Sequence, residues 1–172
     1  GKLFSISANV PRFLKRFPDG KILYLIRDPL SVIPSGLSLV TGVLDKKFGF
    51  WNLPEVKRGH FINNLYQALV QLLLRFQSDW TSGKIDKTKV FIVHFDRMMT
   101  DFNNLMTEIL KFIDHSPSEN LMNDIIETAE NQRKFESKHH YDLAKFGLTE
   151  KQIKKDCAPI YETFIEPEKV TV

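Results

Sequence analysis

The sequence has 172 residues, of which 42% are hydrophobic and 26% are charged, so it is long enough for one domain with a sizeable core. The net charge of +3 does not indicate a nucleic-acid partner, and the lone cysteine, Cys157, excludes an intramolecular disulfide and a cysteine-based zinc cluster. No signal peptide is visible and no apolar run approaches the ~20 residues of a membrane helix, so we expect a cytoplasmic protein without a membrane span.

Helical and strand patterns alternate along the chain, which predicts an α/β fold. Residues 9–17 predict a short helix. The nearly continuous apolar run over residues 21–26 is typical of a strand buried on both faces in a parallel sheet. Asp28 can cap the next helix and Pro29 can begin it, over residues 30–40. Pro34 lies inside that helix and removes a backbone donor, so we expect it to bend or delay the helix.

The rest of the chain, from residue 45, also alternates between helical and strand patterns. Residues 45–53 are aromatic and irregular and predict a loop, and residues 54–82 have apolar positions at helical spacing. Residues 89–95 predict a second strand. Three more helices are expected: residues 101–113, residues 116–130, and a last helix that Thr149 caps and Pro159 interrupts.

Two strands are too few for an independent parallel sheet. We therefore expect more sheet, either beyond these residues or in an oligomer partner. An exposed sheet edge would favour pairing between chains, so a homo-oligomer is one possibility that this pattern leaves open.

The first candidate site lies where the first strand ends, at Arg27 and Asp28. Open α/β sheets bind ligands beyond the carboxyl ends of their strands, the planar guanidinium suits a phosphate, and a helix start adds backbone donors and a positive dipole end. The Ser35 hydroxyl could reach the same anion from two turns into the helix, or from its first turn if Pro34 sets the start. The alternative is an ordinary ion pair of Arg27 with Asp28 or Asp96.

An apolar strand, Arg-Asp-Pro, and a serine eight residues after the arginine resemble the 3′-phosphate-binding segment of sulfotransferases that use 3′-phosphoadenosine 5′-phosphosulfate (PAPS). Other segments resemble the same family in the same order: residues 12–21, 93–98, 110–113, 139–141 and 146–149. The resemblance covers residues 9–165. It implies a P-loop-NTPase-like three-layer fold, helix-rich, with a small parallel sheet flanked by helices. It also implies that residues 1–172 form a single domain that corresponds to the C-terminal portion of the family's fold.

The resemblance also implies roles for individual residues. Arg27 and Ser35 would bind the 3′-phosphate of PAPS. Phe95 stands where relatives place an adenine-contacting tyrosine, and it keeps the ring but lacks the hydroxyl. A basic run lies where relatives close over the nucleotide, although the family's common Arg-Lys-Gly triplet is missing and a solvated basic loop is the alternative. The residues of this run are Arg133, Lys134, Lys138, His139 and His140.

Two expected parts of the family's site are missing from the sequence. No Lys-Ser/Thr-Gly-Thr loop, which would surround the 5′-phosphosulfate with backbone N–H groups, occurs in the 172 residues. We expect that loop to lie upstream of Gly1, so that the domain is truncated at its N-terminus. Without that loop, we expect this chain to bind nucleotide weakly and to be at most weakly active. No general base is assigned among the five histidines.

The function implied is transfer of a sulfuryl group from PAPS to a hydroxyl or amine of a small-molecule or carbohydrate acceptor, without a metal. One alternative is a P-loop-type small-molecule kinase, which would need a Walker-type loop and Mg²⁺ carboxylates, of which Asp96 is the best-placed candidate. Another is a non-catalytic interaction module with a vestigial nucleotide site. In that case the aromatic residues Phe48, Phe50 and Trp51 would bind a partner instead of lining an acceptor pocket or covering the core.

Overall fold

The computed structural model describes residues 4–133 and 142–166. Its helices and strands, in chain order, are α1 (Val10–Arg16), β1 (Ile22–Ile26), α2 (Pro29–Phe48), α3 (Glu55–Thr81), β2 (Val90–His94), α4 (Phe95–Thr100), α5 (Phe102–Phe112), α6 (Glu119–Arg133), α7 (Glu150–Asp156) and α8 (Ala158–Ile160). A π-helical turn, Tyr161–Ile165, follows α8. The fold is therefore α/β and helix-rich, as the sequence predicts.

The described chain divides into two compact units. The strand unit contains residues 11–27 and 84–133, with both strands and α4 to α6. The helical unit contains residues 4–10, 28–83 and 142–166, with α2, α3, α7 and α8. The prediction of one domain over residues 1–172 stays a prediction. None of the helices in these described ranges is long and apolar enough to cross a membrane.

The sheet of the strand unit consists of β1 and β2, which pair in parallel from Ile22 opposite Val90 to Ile26 opposite His94. Helix α5 packs on β2, where Val93, Leu105 and Ile109 form an apolar cluster. Because the strands are parallel and in register, the residues that follow them come to the same end of the sheet.

One face of β1 is more exposed than the sequence predicts. Tyr24 and Ile26 are buried, but Leu23 and Leu25 keep 47% and 51% of their surface exposed. The cause is the position of α5, which covers the β2 side of that face and leaves an open apolar groove of about 220 Å³ beside β1. The prediction of a strand buried on both faces is therefore wrong for β1 in this structure.

Helix α2 begins where the sequence predicts but runs eight residues further, to Phe48. Pro34 lies inside this helix without ending it. Further along the helix, the Thr41 hydroxyl donates to the Leu37 carbonyl at 2.7 Å. The helix ends at Gly49, whose positive φ of 63° forms a left-handed cap. The first part of the predicted loop over residues 45–53 is thus the last turn of α2.

The C-terminal segment packs against α2 and α3 within the helical unit. The Thr149 hydroxyl accepts from the Gln152 N–H at 3.2 Å, which confirms the predicted cap of α7. The last helix is also interrupted, but at Cys157, between the end of α7 and the start of α8, and Pro159 lies inside the short α8. The Tyr66 hydroxyl of α3 donates to Asp156 Oδ2 at 2.7 Å and joins α7 to the long helix.

Candidate functional site

Arg27 lies directly after β1 and its guanidinium contacts an aromatic ring. The Arg27 Cζ atom is 4.2 Å from the ring centroid of Phe95, a cation–π contact. Phe95 directly follows β2, so the parallel register of the strands brings the two residues together. Both side chains are half-buried. The strand unit thus places an arginine over an aromatic ring at the carboxyl end of its sheet.

Phe95 begins α4 instead of ending the second strand, and β2 is one residue shorter at each end than the predicted strand over residues 89–95. Its ring contacts the guanidinium of Arg27, so one part of its surface supports that side chain. The family resemblance implies that this ring contacts adenine, and that role stays a prediction. The structure adds a role in holding Arg27.

Asp28 caps α2 with both its side chain and its backbone. Its Oδ1 accepts from the Leu30 N–H at 2.8 Å, and its carbonyl accepts from the N–H groups of Ser31 at 2.8 Å and Val32 at 3.0 Å. Pro29 has no N–H to offer. The first-turn donors are therefore bonded within the helix start, contrary to the expectation that they face an anion. The positive end of the helix dipole is what α2 contributes here.

The Asp28 carboxylate has a second donor that the sequence analysis did not identify. The hydroxyl of Tyr161, in the π-helical turn, donates to Asp28 Oδ1 at 2.6 Å. Burial and the neighbouring carboxylate raise the pKa of Tyr161 well above its usual value, with the Leu30 N–H acting in the opposite direction. The hydroxyl therefore remains a proton donor near neutral pH. No local signal in the sequence points to this pairing, because the two residues lie at opposite ends of the helical unit's chain.

Ser35 lies two turns into α2 and is half-buried in the helical unit. Because Pro34 does not reset the start of the helix, the alternative that placed Ser35 in a first turn is wrong. The next residue, Gly36, lies where α2 approaches α3: a Cβ there would be 3.0 Å from Leu69 Cδ1. The close packing of the two helices fixes the part of α2 that carries Ser35.

The basic run is largely outside the described residues. Arg133 is the last residue of α6, and its side chain is not among those described. Lys134, Lys138, His139 and His140 lie in the stretch between the two described ranges. Their predicted role over the nucleotide stays a prediction.

The histidines and the aromatic residues near the end of α2 differ in their exposure to solvent. His60 and His115 are exposed, and His94 is the half-buried last residue of β2. Of the aromatic residues near the end of α2, Phe50 is buried in the core, whereas Phe48 is 74% exposed.

Two cationic side chains lie near the ring of Trp51. Lys145 Nζ is 4.5 Å and Arg58 Cζ is 5.9 Å from its ring centroid, and the Arg58 guanidinium also donates to the Trp51 carbonyl. These neighbours fix the ring, and its place in an acceptor pocket stays a prediction.

Comparison with known proteins gives one match, to a family model. A family model described as the sulfotransferase family matches residues 1–119, more than half of the chain. The matched stretch includes Arg27, Ser35 and Phe95, and it ends before the basic run and before Tyr161. Neither the curated proteins nor the solved structures gave a match. The chain belongs to the sulfotransferase family.

Proposed function

We propose that this chain serves sulfuryl transfer from PAPS to a hydroxyl or amine of a small-molecule or carbohydrate acceptor, and that Arg27 binds the 3′-phosphate. Membership of the family supports a transferase in general, and sulfotransferases generally use PAPS. The observation that carries the proposal is the Arg27 guanidinium, whose Cζ lies over the Phe95 ring, 4.2 Å from its centroid, where the sheet ends.

A guanidinium held over a ring is suited to a phosphate for a physical reason. The cation–π contact acts through the positive charge of the group, and the guanidinium also carries five N–H donors. The contact therefore restricts the side chain, while N–H donors can still bind an anion. A phosphate binding to those donors loses less side-chain entropy than it would with an unrestrained arginine, and it gains charge-assisted hydrogen bonds.

The other residues have proposed roles around the same nucleotide. Ser35 would donate its hydroxyl to the 3′-phosphate, and Phe95 would hold Arg27 and could contact the adenine. The basic residues would close over the nucleotide, as the family resemblance implies. They are Arg133, Lys134, Lys138 and His139.

The reaction also requires donors around the sulfuryl group. A bond forms between the acceptor oxygen or nitrogen and sulfur, the bond from sulfur to the bridging oxygen breaks, and the acceptor loses its proton. Negative charge develops on the bridging oxygen, so donors must lie there. The 172 residues contain no Lys-Ser/Thr-Gly-Thr loop to supply them. We therefore propose nucleotide binding, with weak transfer at most, as the property of this chain alone.

Isothermal calorimetry with 3′-phosphoadenosine 5′-phosphate (PAP) tests the assignment. The Arg27→Ala variant should bind PAP at least tenfold more weakly, because a hydrogen-bonded charge contributes about 1.5–3 kcal/mol. Its affinity for 5′-AMP, which lacks the 3′-phosphate, should be unchanged. Arg16→Ala is the matched control, since Arg16 is also a strand-unit arginine near a ring, that of Phe17, at 5.8 Å. Unchanged PAP binding by Arg27→Ala would show the assignment to be wrong.

The same preparation separates the alternatives. PAP should raise the melting temperature more than ATP with Mg²⁺ does. A larger shift with ATP and Mg²⁺ would favour a kinase. No shift with either nucleotide would favour an interaction module with a vestigial site.

A further inference from the structure

The hydroxyl of Tyr161 reaches the residue that begins α2. It donates to Asp28 Oδ1 at 2.6 Å, and the same oxygen accepts from the Leu30 N–H at 2.8 Å. The carboxylate thus has one donor from its own helix and one from the C-terminal π-helical turn. Two donors on one oxygen restrict its position more than the cap bond does by itself.

The position of Asp28 determines how α2 starts. Its carbonyl accepts from Ser31 and Val32, so a rotation of Asp28 would disturb the whole first turn. Pro34 makes this part of the helix more dependent on the cap, because it supplies no N–H to the carbonyl of Leu30. Ser35 follows Pro34 directly, and Arg27 precedes Asp28 in the chain.

The turn that carries Tyr161 is itself fixed in the helical unit. The ring of Phe164 packs against Phe76 at 5.8 Å and Trp80 at 6.0 Å between ring centroids, and the Thr163 hydroxyl accepts from Gln77 Nε2 at 2.9 Å. All of these partners belong to α3. Tyr161 therefore extends from a rigid support to the start of α2.

We propose that Tyr161 is a positioning residue for the 3′-phosphate: by holding Asp28, it fixes the start of the helix that carries Ser35. This inference rests on the proposed function. It concerns a residue outside the stretch that the family model matches, residues 1–119.

A second tyrosine provides a matched control. Tyr66 donates to Asp156 at 2.7 Å, in the same unit, with nearly the same length of bond. Asp156 ends α7 and is far along the chain from Asp28, and it does not cap α2. If Tyr161 has a structural role only, the two tyrosine-to-phenylalanine changes should affect nucleotide binding alike.

The test is calorimetric titration of PAP and of 5′-AMP into the wild type, Tyr161→Phe and Tyr66→Phe at a temperature where all three are folded. Tyr161→Phe should weaken PAP binding about three- to tenfold, the range expected for loss of one supporting hydrogen bond. It should leave 5′-AMP binding unchanged. Tyr66→Phe should change neither affinity by more than about twofold, even if it lowers the melting temperature as much.

Asp28→Ser examines the same link from its other end. Serine is as good an N-cap as aspartate, but its side chain is shorter by one bond and should not reach the Tyr161 hydroxyl. This variant should weaken PAP binding as Tyr161→Phe does, and the double variant should be no weaker than either single one. It also keeps the test decisive if Tyr161→Phe does not fold.

The outcomes separate this inference from the function on which it rests. If Arg27→Ala weakens PAP binding but Tyr161→Phe does not, or if Tyr66→Phe weakens it equally, the positioning role is wrong and the proposed function stands. If the wild type does not bind PAP, or Arg27→Ala has no effect, both proposals are wrong.

Discussion

The thiol of Cys157 should make the fold sensitive to alkaline pH. The residue is fully buried at the junction of α7 and α8. Burial, with smaller contributions from the carboxylates of Asp156 and Asp28, raises its pKa from 9.0 to about 11. In the unfolded chain the thiol ionises near its usual pKa, whereas the folded chain keeps it protonated. Its contribution to stability is therefore complete below about pH 9 and is lost as the pH rises towards 11.

The size of the effect follows from the shift. Each pH unit between the two pKa values changes the free energy of unfolding by about 1.4 kcal/mol, so about two units give a loss of about 2 to 3 kcal/mol. Urea unfolding followed by circular dichroism, with a reductant present, should be measured at several pH values from about 8 to 11. Cys157→Ala should lack this part of the loss, so the stability difference between wild type and variant should shrink by about 2 to 3 kcal/mol.

Two tyrosines, Tyr66 and Tyr161, also have raised pKa values. They add an alkaline loss of stability to both proteins, and comparison of wild type with Cys157→Ala removes it. Parallel stability curves for the two proteins across this range would refute the reasoning, because they would show that the thiol ionises at the same pH in the folded and unfolded chains.

Two further predictions concern Phe95 and the glycines of the helical unit. Phe95→Leu keeps apolar bulk but removes the ring, so it should weaken PAP binding about three- to fivefold through the lost cation–π contact. In an Arg27→Ala background its effect should be smaller, and fully additive effects in calorimetry would contradict the contact's role in holding Arg27. Gly59→Ala should raise the free energy of unfolding by about 0.5–1 kcal/mol, since its Cβ would meet nothing within 4 Å. Gly36→Ala should gain less because Leu69 must move, and equal gains in chemical denaturation would count against this packing argument.

Local signals in the sequence predict much of the fold. Asp28 followed by Pro29 marks the start of α2, and Thr149 marks the start of α7, because a cap depends on residues within one turn. The two apolar runs predict both strands, and their continuous hydrophobicity predicts a parallel sheet, which the pairing of β1 with β2 confirms. Arg27 could be selected as a candidate because it directly follows such a strand.

Other features depend on contacts that the sequence does not encode locally. The exposure of Leu23 and Leu25 depends on how much of the sheet α5 covers. The apolar run of β1 is the same whether that face of the strand is covered or exposed. Helix α2 continues past Pro34 because its capped first turn and its packing against α3 outweigh the missing hydrogen bond. The pairing of Tyr161 with Asp28 joins distant parts of the chain, so no periodicity or motif could indicate it.

The order in which the chain is synthesised determines when the two strands of the sheet can pair. β1 is complete at Ile26, but the strand that pairs with it begins at Val90, after the whole of α2 and α3. Helices form from local contacts and can arise early, whereas pairing of distant strands must await the later segment. A nascent chain that stopped before β2 would carry Arg27 without the ring that holds it. The Arg27 guanidinium thus gains its contact with Phe95 only after α1, α2 and α3 have been synthesised.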